Sequence, residues 1–154
     1  MLRNMRTTTL RTSEAARLLY EYQATLQNND QLINNLEIMR KNPEPTISQL
    51  ARMKELEEQL IPEGIRKEKA LGSKLRPLVA LLEGEGSLPE IRRRTVIELR
   101  FFSLLEWTQI AEALFPDEWS EASQKSRRLL LQRALRYQRT AIKYLDEFLG
   151  AGSL

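Results

Sequence analysis

Between residues 122 and 145 the chain carries seven basic residues and no acid: Lys125, Arg127, Arg128, Arg133, Arg136, Arg139 and Lys143. At that density, guanidinium and ammonium groups are suited above all to neutralising phosphates. Each one brought to a nucleic-acid phosphate releases condensed counterions. Of 24 basic residues in the chain, these seven leave 17 against all 21 acids. A protein of net charge +3 is therefore acidic outside one segment, which points to an anionic partner for that segment. Other chemistry is scarce. The chain has no cysteine and no histidine, which removes disulfides, thiolates, the usual zinc ligands and the commonest general base near neutral pH. Nothing arranges carboxylates or lysines for catalysis, so the expectation is a non-enzyme with no cofactor and no metal site.

The element that must position the basic residues is a helix. At 100° per residue from Lys125, Arg128, Arg139, Lys125, Lys143, Arg136 and Arg133 fall within an arc of about 140°. Leu130, Ala134, Tyr137, Ala141, Leu145 and Phe148 fall on the other side. Arg127 is an exception on the apolar side, and Leu129 sits among the cations. A solvated helix face usually mixes both signs of charge, whereas this one holds no acid. Upstream, Ser87-Leu88-Pro89-Glu90 has capping-box spacing and opens a helix to about residue 102. Ile91, Val96, Ile97, Leu99, Phe101 and Phe102 make that helix apolar on more than one side. Trp107, Ile110, Ala111 and Leu114 then share one face of a further helix. Residues 115–121 follow as a breaker region with Pro116. Either their acids begin the basic helix early, or Ser123 caps it and the loop projects outward.

The N-terminal half reads as helical too. Residues 1–12 are polar and aperiodic, a flexible arm. Ser13 can cap a helix in which Leu19, Tyr22, Leu26, Asn29, Ile33 and Leu36 form a seam at alternating steps of three and four. This is either a coiled coil with one buried asparagine, which sets register and strand number, or an amphipathic helix packing inside its own chain. Asn42-Pro43-Glu44-Pro45 breaks it. A second helix is expected over residues 46–60 and a third over 65–82, separated by Ile61-Pro62-Glu63-Gly64, with Pro77 a candidate kink. Glu83-Gly84-Glu85-Gly86 is the strongest hinge signal. The expected organisation is an arm at 1–12, a helical oligomerisation or partner-binding region at 13–83, a hinge at 84–87 and a helix-turn-helix domain at 88–154. The fold class is all-α, with a coiled-coil-like N-terminal part and a long basic last helix. No apolar run approaches the roughly 20 residues that span a bilayer, and the N-terminus lacks a signal-peptide core. The expected location is the cytoplasm.

The stretch Arg94-Thr95-Val96-Ile97-Glu98-Leu99-Arg100-Phe101-Phe102, then Trp107-x-x-Ile110-Ala111-x-x-Leu114, then a basic helix with Arg133-Ala134-Leu135, resembles the region-4 helix-turn-helix of sigma factors. In particular it is similar to the small phage-encoded transcriptional regulators of the RinA and ArpU type. The resemblance covers about residues 88–140 and implies a double-stranded DNA partner, possible contact with bacterial RNA polymerase, and activation of phage genes in the host cell. Its turn is longer than the family's. Carried over through Ala134-Leu135, the resemblance puts the early recognition helix at Gln124 to Gln132. Gln124, Arg128 and Gln132 then suit base edges, and Lys125, Arg136 and Arg139 suit phosphates, with Arg127 and Arg133 in the same basic set. The expectation is a sequence-specific regulator that self-associates, with a dimer favoured. Its rivals are a small terminase subunit and a protein-interaction adaptor whose basic helix docks on an acidic partner.

Overall fold

A computed structural model describes residues 13–152; the arm expected over residues 1–12 lies outside them. Every element described is a helix. Helix α1 (Glu14–Arg40) is capped by Ser13, whose hydroxyl accepts from the Ala16 amide. Two prolines follow it at positions 43 and 45, and the chain re-enters a helix at Thr46. There a capping box with Gln49 opens α2 (Ile47–Glu55).

The expected break at residues 61–64 does not form. A π turn, Leu56–Leu60, carries α2 directly into α3 (Ile61–Leu81), with the Ile61 amide bonded to the Leu56 carbonyl. The physical reason lies in Pro62, which has no amide hydrogen and would crowd the carbonyl four residues back in a regular helix. The wider π turn re-spaces those carbonyls just before it. Gly64 has a different role. A Cβ there would run into the Asn29 carboxamide of α1, so the glycine lets two helices approach closely. Pro77 lies inside α3, which continues through it.

The α2–α3 rod folds back along α1. Arg40 pairs with Glu57, Asn29 Nδ2 donates to Glu68 at 3.1 Å, and Tyr22 packs against Gly72. One strand of these pairings descends as the other ascends, so the helices are antiparallel. The seam read in the sequence is thus used within the chain. Leu19, Tyr22, Asn29 and Leu36 are buried without a second copy, Leu26 packs on the core, and Ile33 remains 37% exposed. Within the chain, α3 occupies the face that a partner helix would take.

Residues 83–86 turn the chain into α4 (Leu88–Ile97), which passes through a second π turn, Glu98–Phe102. The capping box of Ser87 and Glu90 forms as the spacing predicts. Next come α5 (Trp107–Leu114), α6 (Pro116–Glu121) and α7 (Gln124–Gly152). In the turn before α5, Leu104 has φ 58°, a left-handed conformation that costs a side-chain-bearing residue about 1–2 kcal/mol. It is held from both sides, because the Leu105 amide bonds the Leu99 carbonyl and Arg100 donates to the Leu105 carbonyl at 3.0 Å.

One hydrophobic cluster joins these helices. Leu19 of α1, Val79 of α3, Ile97 of α4, Ile110 of α5 and Ala134 and Leu145 of α7 all belong to it. The core therefore continues across residues 83–86, and the turn itself is bonded. Arg94 pairs with Glu83 at 2.5 Å, and the Glu85 amide donates to Glu90 at 3.1 Å. A further tie runs between the ends of the chain. Asp146 of α7 accepts from the Ser13 hydroxyl at 2.6 Å and from the Ala15 amide at 2.8 Å, which satisfies the open amide end of α1. No described helix is long and apolar enough to cross a membrane.

Candidate nucleic-acid interface

Helix α7 carries the basic segment. Ser123 begins it, accepting from the Ser126 amide at 3.3 Å. Of the two alternatives for the start, the serine cap is the one that forms, and the acids of residues 115–121 do not extend α7. Those residues do not project as a loop either. They build α6, and Trp119 is buried at 9% exposure. Sequence reading missed this helix because Pro116 reads as a breaker, although proline is well suited to the first turn, where an amide has no partner.

The eight basic and glutamine positions separate into two groups. Gln124, Lys125, Arg128, Gln132, Arg136 and Arg139 are exposed. From Lys125 onward they are spaced by threes and fours and form a stripe, with Gln124 at its start and Lys143 continuing it. The four charged members, Lys125, Arg128, Arg136 and Arg139, have no ion pair among the described residues. From position 125 to 139 the stripe runs about 21 Å at 1.5 Å per residue.

Arg127 and Arg133 are placed otherwise. The Arg127 guanidinium lies 4.7 Å from the Trp119 ring centroid, and its Nε donates to the Trp119 carbonyl at 3.3 Å. This explains its position on the apolar side of the wheel, where an indole receives it. Arg133 lies 4.4 Å from the Phe115 ring centroid and pairs with Glu118 at 2.9 Å. Both arginines fasten the linking segment to α7, so the long turn between α5 and α7 is a packed unit.

Across from α7, helix α4 adds cations absent from the sequence-derived set. Arg92 stacks on Phe115, its guanidinium 4.8 Å from the ring centroid. Arg93 lies 4.6 Å from the Tyr144 ring centroid. The run Arg92-Arg93-Arg94 was the available signal. It carries no periodicity, and nothing in it tells that two members face α7 while Arg94 pairs with Glu83 and Glu98. Ile38, Ile47 and Leu50 are exposed apolar residues near the tip of the α1–α2 hairpin. Among the described residues no cluster of carboxylates, histidines or cysteines could hold a metal.

The arrangement suits electrostatic contact with an extended anion. A rigid helix presents unpaired cations along one side, and its other side is fixed in the core through Leu130, Ala134, Ala141 and Leu145. The two glutamines of the stripe offer paired donor and acceptor groups beside those cations. No family model, curated protein or solved structure matches the chain.

Proposed function

We propose that the protein is a sequence-specific double-stranded DNA-binding regulator of transcription, a phage-type activator working in the cytoplasm of a bacterial host. The observation that carries this reading is the acid-free, exposed and unpaired stripe of Lys125, Arg128, Gln132, Arg136 and Arg139 on a core-anchored helix. An α-helix fits the major groove, and arginine and glutamine are the side chains that pair bidentately with guanine and adenine. In this reading α5 and α7 act as the two helices of a helix-turn-helix with α6 inserted between them, and α7 enters the groove by its first three turns. The α1–α3 bundle is left for contact with RNA polymerase or another partner.

Binding to duplex DNA at several salt concentrations tests the reading. A log–log slope of about −4, one unit near −0.9 for each phosphate neutralised, is expected from four or five phosphate contacts. A genomic footprint should then locate a preferred site. Absence of binding to any duplex at low salt would overturn it and leave an acidic protein as the partner of the stripe.

A further inference from the structure

Between the start of α4 and the middle of α7 lies an open groove of about 240 Å³, lined by Pro89, Arg93, Arg133, Arg136, Tyr137 and Thr140. Three of the six lining residues are arginines and none is a carboxylate. Two others carry hydroxyls. Arg133 shares its charge with Glu118, but among the described residues Arg136 has no ion pair, and Arg93 Nε is buried without a hydrogen-bond acceptor. The carboxylate that feels Arg93 electrostatically is Glu90, and it is already spent on the cap of α4. Guanidinium groups gathered around one concavity repel one another and want an anion. Their planar forks match tetrahedral oxyanions better than any other side chain does.

We infer that this groove is a binding site for a single phosphoryl group, held by Arg93 and Arg136 with Arg133 at its wall and the hydroxyls of Tyr137 and Thr140 within the lining. Its size falls below the roughly 300–1,000 Å³ of sites that enclose a drug-sized ligand, which suits one phosphoryl group and not a whole nucleotide. The phosphoryl group belongs either to the backbone of bound DNA or to a free phosphate species. Both present the same oxygens, and the groove stands on α4 as well as α7. It is thus separate from the base-reading part of the stripe. The site is read from its own lining and holds whether or not α7 binds DNA.

Titration with inorganic phosphate against chloride at constant ionic strength, read on arginine Nε–H resonances, tests the free-phosphate arm. Saturable shifts at Arg93 and Arg136 but not at Lys125, lost in Arg93→Gln, are the expected result for a free ligand. The second arm is the salt slope of duplex binding. A loss of about one unit in Arg93→Gln assigns the phosphoryl group to the DNA backbone, since Arg93 lies outside the stripe. Arg136→Gln, at an exposed and unpaired position, repeats both arms without disturbing the Arg93–Tyr144 stack. A wild-type protein that binds no DNA but shows the phosphate shifts would defeat the proposed function and leave this site standing. No saturable shift together with an unchanged slope in both variants overturns the site.

Discussion

Arg128 and Arg136 stand about two helical turns apart on the exposed side of α7, and neither has an ion pair among the described residues. On the DNA-binding reading they serve differently. Arg136→Ala should weaken cognate and random duplex alike and flatten the salt dependence by about one log–log unit. Arg128→Ala should cost about 1–3 kcal/mol on the cognate site and much less on random DNA. Binding isotherms on both duplexes separate the two, and equal losses everywhere would mean that α7 sits in another register. A second residue-scale expectation concerns Gly64. An alanine there drives its Cβ into the Asn29 carboxamide, and overpacking of this kind costs about 1–3 kcal/mol. The gain in helix propensity is about 1 kcal/mol. The urea midpoint should therefore fall in Gly64→Ala and recover in the double variant with Asn29→Ala. A stabilised single variant would show that the contact is loose.

At the scale of elements, two helix ends are held by groups the sequence places differently. The cap of α4 is local: Ser87 and Glu90 are three residues apart. The Ser87 hydroxyl, then the Glu85 amide, hold the Glu90 carboxyl below its ordinary value. A carboxylate with a depressed folded pKa contributes stability that is present above its unfolded pKa and lost as pH falls through the folded one. Acidification from just above the ordinary glutamate value of 4.5 downward should thus fray the start of α4. Ser87→Ala should move the Glu90 titration back toward that value by NMR. The start of α1 has a remote tie besides its local Ser13 cap, since Asp146 reaches it across 133 positions of sequence. Asp146→Ala should lower stability by about 1–2 kcal/mol, the usual worth of a cap, and should accelerate hydrogen exchange at Ala15 and Ala16 first. Glu147→Ala, next to it and exposed, should stay within about 0.5 kcal/mol. Equal effects from the two substitutions would show that the Asp146 hydrogen bonds do not hold the start of α1.

At the scale of the whole molecule, the turn at residues 83–86 combines exposure with two glycines at positive φ, Gly84 at 53° and Gly86 at 86°. A glutamate-specific protease should nick it early. The pieces should nevertheless co-elute, because Leu19 and Val79 on one side share a core with Phe101 and Leu145 on the other. Parting them should require denaturant, and the intact chain should unfold in one transition. A fragment beginning at residue 87 that elutes alone and folded would restore a division into two domains.

The local features were readable from the residues alone because they depend on neighbours in sequence. The Ser13, Thr46 and Ser87 caps, the break at Pro43 and Pro45, and the one-sided charge of α7 all follow from spacing and from what each side chain does to its own backbone. What fills a helix's apolar side is a different matter. The seam from Leu19 to Leu36 has the same periodicity whether it meets another chain or α3, and only the fold-back at residues 41–46 decided for α3. Pro62 and Gly64 carried a breaker's composition, but the π turn and the Asn29 contact kept them inside one rod. Arg127 and Arg133 looked like members of the cationic stripe until Trp119 and Phe115 were brought against them. Arg93 entered the candidate site only when α4 came to lie beside α7. The sequence by itself thus determined the helices and the concentration of charge, since both are local sums. The tertiary structure decided which cations remain unpaired and what stands across from them, since that depends on contacts between residues far apart in the chain.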